Sequence, residues 1–109
     1  YRHKLDAVFL EAGVTRSYIG ETTTAASVCA MVAAGVGVSV INPLTAASHI
    51  GGPVVFRRLS VEVPYRVALW HPARSTRQAH LRRFIAGLHE AVAEMAAELD
   101  RHLVPMPAG

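Results

Sequence analysis

The chain holds a single cysteine, Cys29, so no internal disulfide can form, and that usage fits a reducing compartment. Cys29 sits among Ala and Val with no base or cation at helical spacing, which makes it a small core hydrophobe rather than a nucleophile. Aromatic residues are only 6% of the chain, so a core must be built mainly from Val, Ala, Leu and Ile. Charged residues are scarce as well, at 17% against 51% apolar, a balance that argues against disorder. No apolar run reaches membrane-spanning length, and the opening YRHKLD lacks the apolar core of a signal peptide. Because Tyr1 is not an initiator methionine, the natural N-terminus is expected to lie upstream.

Several chemistries are missing too. Net charge is only +3, and the arginines are scattered rather than gathered into the basic stripe that phosphate binding needs. The six histidines form no HxxxH or HxH pair, so no metal site is expected. None of the serines lies in a GxSxG turn. Gly35-Val36-Gly37 follows a helical pattern instead of opening one, so it is no dinucleotide fingerprint. No enzyme and no cofactor are expected. At 109 residues the chain is one domain or a piece of a two-lobed one.

What is present is a regular alternation. His3 to Ala12 carries apolar residues at helical spacing and meets Gly13; Thr15 to Glu21 is β-rich. A threonine among Thr22, Thr23 and Thr24 caps a small-residue helix running to about Ala34, with Val28, Val32, Ala25, Cys29 and Ala33 as its packing face and Gly35 just past its end. Val36 to Ile41 is a short apolar run, expected to be a strand buried on both faces. Asn42-Pro43 has the form of an N-cap with proline at the first position of a brief helix ending near His49. Val54–Leu59 and Val61–Trp70 are expected strands, the second half-buried with period two and bent or at an edge at Pro64.

A capping box at Ser75 and Gln78 then opens a long amphipathic helix, on which Leu81, Phe84, Ile85, Leu88, Val92, Met95 and Leu99 repeat at three and four. Burying those seven side chains is worth at most roughly 10–20 kcal/mol before entropy. The acidic Glu90, Glu94 and Glu98 share its solvated side, and 104–109 is expected to be a disordered tail.

The order α-β-α-β-α-β-β-α implies an open α/β sheet, whose ligands bind beyond the carboxyl ends of the strands. Glu21-Thr22 and Ile41-Asn42 both lie at such ends. The helix opening at Thr22–Thr24 offers unpaired N–H groups, the positive end of a helix dipole and three hydroxyls, a setting suited to a small anion such as a carboxylate.

The stretch ETTTAASVCAMVAAGVGVSVINPLTA, with VVFRRLSVEVPYRVALWHP and the closing helix bearing Leu81-Arg82-Arg83-Phe84-Ile85, closely resembles the effector-binding domain of LysR-type transcriptional regulators. The segment VAAGVGVSVINP is most similar to the subgroup that responds to opines and related amino acids. The resemblance implies a periplasmic-binding-protein-like (type 2) pair of α/β lobes with an inducer between them, residues 1–60 supplying the later part of the second lobe and 61–103 crossing back to the first. It implies Thr22, Thr23 and Thr24 as ligand-binding residues, with Asn42 and Pro43 beside them. It also implies an amino acid, opine or organic acid as ligand, a homo-oligomer, a cytoplasmic location with no membrane partner, and DNA contact only through a winged helix-turn-helix outside these residues. A fragment of an extracytoplasmic solute-binding protein shares the fold and the same anion logic, and stands as the alternative. A third reading is a stable interaction module that dimerises through the face left open by the missing lobe, and on it the isolated chain is expected to self-associate.

Overall fold

The computed structural model describes residues 2–74 and 78–105, and among them lie four helices: α1 (Arg2–Glu11), α2 (Ala25–Ala33), α3 (Pro43–Ala47) and α4 (Gln78–His102). All four fall where the sequence places helices, within a residue or two at each end. Ser75 of the expected capping box and residues 106–109 of the expected tail lie outside the described residues.

Local chemistry explains the helix ends. At the close of α2 the Gly35 N–H donates to the Val32 carbonyl at 2.9 Å and the Val36 N–H to the Met31 carbonyl at 3.1 Å. That bond pair needs a left-handed residue, and Gly35 supplies it at φ 76°. The same arrangement closes α1, where Val14 donates to the Phe9 carbonyl at 2.9 Å. Beyond α1, Arg16 folds back to pair with Asp6, its guanidinium 4.8 Å from the Phe9 ring and 4.9 Å from that of Tyr18. This cation–π sandwich turns the 14–18 segment onto the helix.

Helix α3 starts as expected. Asn42 caps it, its Oδ1 accepting the Thr45 N–H at 2.9 Å and its Nδ2 donating to Thr45 Oγ1 at 3.0 Å, with Pro43 at the first position. Asn42→Ala is expected to cost about 1 kcal/mol in denaturant unfolding, whereas a loss below a few tenths would show that α3 is held by packing alone. The helix packs on the C-terminal part of α4, and here Ala46 and Leu99 are buried. Residues 100–105 are tied to the 56–58 segment: the Val104 N–H donates to the Phe56 carbonyl at 2.8 Å, Arg57 donates to the Pro105 carbonyl, and Arg58 pairs with Asp100.

The expected strands are a different matter. Segments 15–21, 36–41, 54–59 and 61–70 form no strand among the described residues, so the α/β order stands only in its helices. Val36 to Ile41 is not buried on both faces, since Val38 is 98% exposed. Nor is 61–70 half-buried: Val61, Tyr65, Val67 and Leu69 are exposed along with Trp70, and only Val63 is partly covered. Strands exist by pairing, and a segment whose N–H and C=O groups meet no neighbouring ladder stays irregular whatever its propensity. Two of the segments do touch at one point, since a Cβ added at Gly37 would sit 3.1 Å from Ile19 Cδ1.

The long helix departs in the same sense. Of its seven apolar positions only Leu99 is buried, while Phe84, Leu88 and Val92 are exposed. Surface totals agree. A compact chain of this mass has about 5900 Å² of accessible surface, against 8991 Å² here. The radius of gyration is 17.2 Å, where about 13 Å is typical of a compact domain. Roughly 3000 Å² of surface beyond the compact expectation, much of it apolar, therefore faces outward.

At the end of α4, Glu98 pairs with Arg101 and His102. The hydrogen bond from Arg101, more than its charge, holds the Glu98 carboxyl below its ordinary value. Glu98 is thus expected to stay ionised to lower pH in the folded than in the unfolded chain, so its small contribution is present above the unfolded value and lost as pH falls through the folded one. In a carboxyl NMR titration, Arg101→Gln should move the Glu98 midpoint upward, and an unchanged midpoint would remove Arg101 as the cause.

Candidate functional site

The α2 N-terminus is built by three residues of the TTT run and the turn after it. Thr24 takes the cap, with φ −125° and ψ 143° in the extended region. Its carbonyl accepts the Val28 N–H at 3.2 Å and its Oγ1 accepts the Ser27 N–H at 3.1 Å. Ser27 was not expected to matter here, yet its Oγ lies 2.8 Å from Thr24 Oγ1. The signal that could have found it is the spacing of two hydroxyl residues three apart across a helix start, as in a capping box.

With Ser27 satisfied, the N–H groups of Ala25 and Ala26 are the α2 donors left without a partner among the described residues. The first turn carries no acidic residue, so the positive end of the helix dipole is not neutralised from within. Glu21 is the nearest carboxylate in sequence, and it is paired with Arg2 of α1. The hydrogen bond and charge of Glu21 hold the Arg2 guanidinium above its ordinary value. Thr22, Thr23 and Thr24 are exposed, so their hydroxyls are not packed into the interior.

Asn42 and Pro43 are placed differently. Both polar atoms of the Asn42 side chain are engaged with Thr45, and Pro43 has no N–H to offer. They shape the start of α3 more than they present free donors. Two of the cavities among the described residues lie along α4. One of about 180 Å³ lies between His71, Pro72 and the start of α4, lined by Leu81 and Ile85. The other, of about 430 Å³, lies between Ala47, Ile50 and the end of α4 at Met95 and Glu98. Neither is lined by Thr22, Thr23, Thr24, Asn42 or Pro43. The start of α2 is an open helix end with its three threonines exposed.

Comparison with known proteins assigns the class. The LysR substrate binding domain model matches residues 1–93, and the chain belongs to that family. Among curated relatives it is 44% identical over 100 residues to the transcriptional activator protein LysR of Escherichia coli (strain K12), covering 92% of this chain and 32% of that protein. It is 30% identical over 97 residues to the regulatory protein NocR of Agrobacterium tumefaciens (strain T37), covering 89% and 32%, and equally to NocR of Agrobacterium fabrum. The chain thus spans about a third of the length of the curated relatives it matches. No solved structure matches it significantly. The family carries a periplasmic-binding-protein-like fold. These relatives are regulators by name, so the solute-binding alternative is not favoured.

Proposed function

We propose that the chain is part of the inducer-sensing domain of a LysR-type transcriptional regulator and that its ligand is a small anionic metabolite, an amino acid, opine or organic acid. The negative end of that metabolite lies at the start of α2, taking the Ala25 and Ala26 N–H groups and the hydroxyls of Thr22, Thr23 and Thr24. Asn42 and Pro43 form the adjacent wall through the fixed start of α3. The observation that carries this reading is the α2 terminus itself, with two free donors, exposed hydroxyls and no acid in its first turn.

In the complete domain, segments 15–21, 36–41, 54–59 and 61–70 pair as strands of two lobes. Residues 1–60 belong to the second lobe and 61–103 cross back to the first, and the other lobe supplies the missing wall of the pocket. The regulator is a cytoplasmic homo-oligomer that contacts DNA through a winged helix-turn-helix outside these residues. Effector binds the closed arrangement of lobes better than the open one, and the shifted population re-spaces the DNA-binding heads. A thermal-shift screen of the complete domain against amino acids, opines and small organic acids tests the ligand class, because a ligand specific to the native state raises its midpoint. A shift with anionic members, absent with their amides or esters, is the expected result; equal response to the neutral analogues would reject a site built for a negative charge.

A further inference from the structure

Two acids early in the chain are each held by an arginine, and together they fix the segment that leads into α2. Asp6 pairs with Arg16, whose guanidinium also meets the Phe9 and Tyr18 rings. Glu21 pairs with Arg2, and Tyr18 is a further hydrogen-bonding neighbour of Arg2. The segment also lies against α2, since a Cβ added at Gly20 would sit 2.8 Å from Met31 Cε. Glu21 is therefore anchored three residues before the Thr24 cap. Four links of chain separate it from Ala25, at most about 14 Å when fully extended. The Ala25 and Ala26 N–H groups are thus within reach of a Glu21 carboxylate released from Arg2, and a negative charge is favoured there.

We infer that Arg2 is a specificity-determining residue of the effector site: by holding the Glu21 carboxylate, it keeps the chain's own negative charge from competing with an anionic effector. The inference rests on the reading of the α2 start as that site. Helix α2 has no acid in its first turn, and Glu21 is the carboxylate nearest to it in sequence. Both side chains of the pair are 65% exposed, so the contact itself adds little stability. Its effect is on the field at the helix start. Paired, the two charges nearly cancel for an incoming anion. Without Arg2 the anion meets an uncompensated negative charge that is also a tethered competitor, and without Glu21 it meets an uncompensated positive one. The two changes break the same contact, yet they act on an anion with opposite sign.

Amide NMR titrations of the complete effector-binding domain with sodium acetate and with sodium sulfate, at constant ionic strength, test this. In the wild type both anions should shift the Ala25 and Ala26 resonances saturably. Arg2→Gln should weaken acetate binding about threefold and sulfate binding about tenfold, because the logarithm of the effect grows with the charge of the probe. Glu21→Gln should tighten both by similar factors, and the double variant should return close to wild type. Thermal midpoints of the two single variants should fall alike and by little, since both lose the same exposed pair. A pair with a purely structural role would weaken anion binding in both. Equal losses in the two single variants, or no change in either while the wild type binds at Ala25 and Ala26, overturn the role of Arg2 and leave the site standing. Anions that leave Ala25 and Ala26 unmoved in the wild type overturn the site reading, and this inference with it.

Discussion

Leu99→Ala should lower the unfolding free energy by about 2–3 kcal/mol, the lower part of the range for removing a buried leucine. Leu99 is 7% exposed, and its buried companions, Ala46 and Cys29, are small. It is therefore the one large side chain among the buried described residues, and it lies on α4, against which α3 packs. The lower part of the range applies because the cavity beside Ala47, Ile50 and Met95 gives neighbouring groups room to relax. Even that loss is a large fraction of a small domain's marginal stability. Urea unfolding measures it, and hydrogen exchange at α3 amides should report the same loss locally. Leu10→Ala serves as the control, since Leu10 is 81% exposed and surface changes of this kind stay within about 0.5 kcal/mol. Equal effects at the two positions would mean that the α3–α4 contact is not what stabilises this end of the chain.

The threonines should separate into two kinds. Thr24→Ala removes both a hydroxyl and the cap on the Ser27 N–H, so it should cost about 1 kcal/mol of stability as well as effector affinity. Thr24→Ser retains the oxygen and should restore stability. Thr22→Ala touches no cap, and should therefore lower effector affinity alone. A hydrogen bond to a charged group is worth about 1.5–3 kcal/mol, so the expected loss is about tenfold or more. In the complete regulator, Thr22→Ala should blunt the inducer response while leaving operator binding intact. If Thr22→Ala and wild type respond equally, and only Thr24→Ala is impaired in step with its stability, the threonines cap the helix and do nothing more.

Which features were legible in the sequence follows from the range of the forces involved. Thr24, Gly35 and the Asn42-Pro43 pair act over three or four residues, so their roles as caps and helix ends are visible in the string itself and appear in the structure at the expected places. The amphipathic spacing of α4 likewise gave its existence and extent. Burial did not follow, because periodicity names the face that wants covering and not the surface that covers it: Phe84, Leu88 and Val92 have the right spacing and remain open. Val38 and Val67 show the same for strands. Their β-branched side chains favour an extended segment, yet a strand needs a ladder partner, and no such partner pairs with them among the described residues. For the site, hydroxyl-rich composition located the α2 terminus but not the division of labour within it. That Thr24 spends its oxygen on Ser27, leaving Ala25 and Ala26 as the free donors, depends on the backbone angles of one residue.

Backbone amide NMR of the complete effector-binding domain, titrated with the anionic metabolite that gives the largest thermal shift, addresses the α2 site at atomic level. The Ala25 and Ala26 N–H resonances should move furthest, saturably and downfield, together with those of Thr22 and Thr23, and Thr22→Ala should weaken that saturation. If the metabolite binds while Ala25 and Ala26 stay still and the perturbed amides cluster elsewhere, the start of α2 does not hold the ligand.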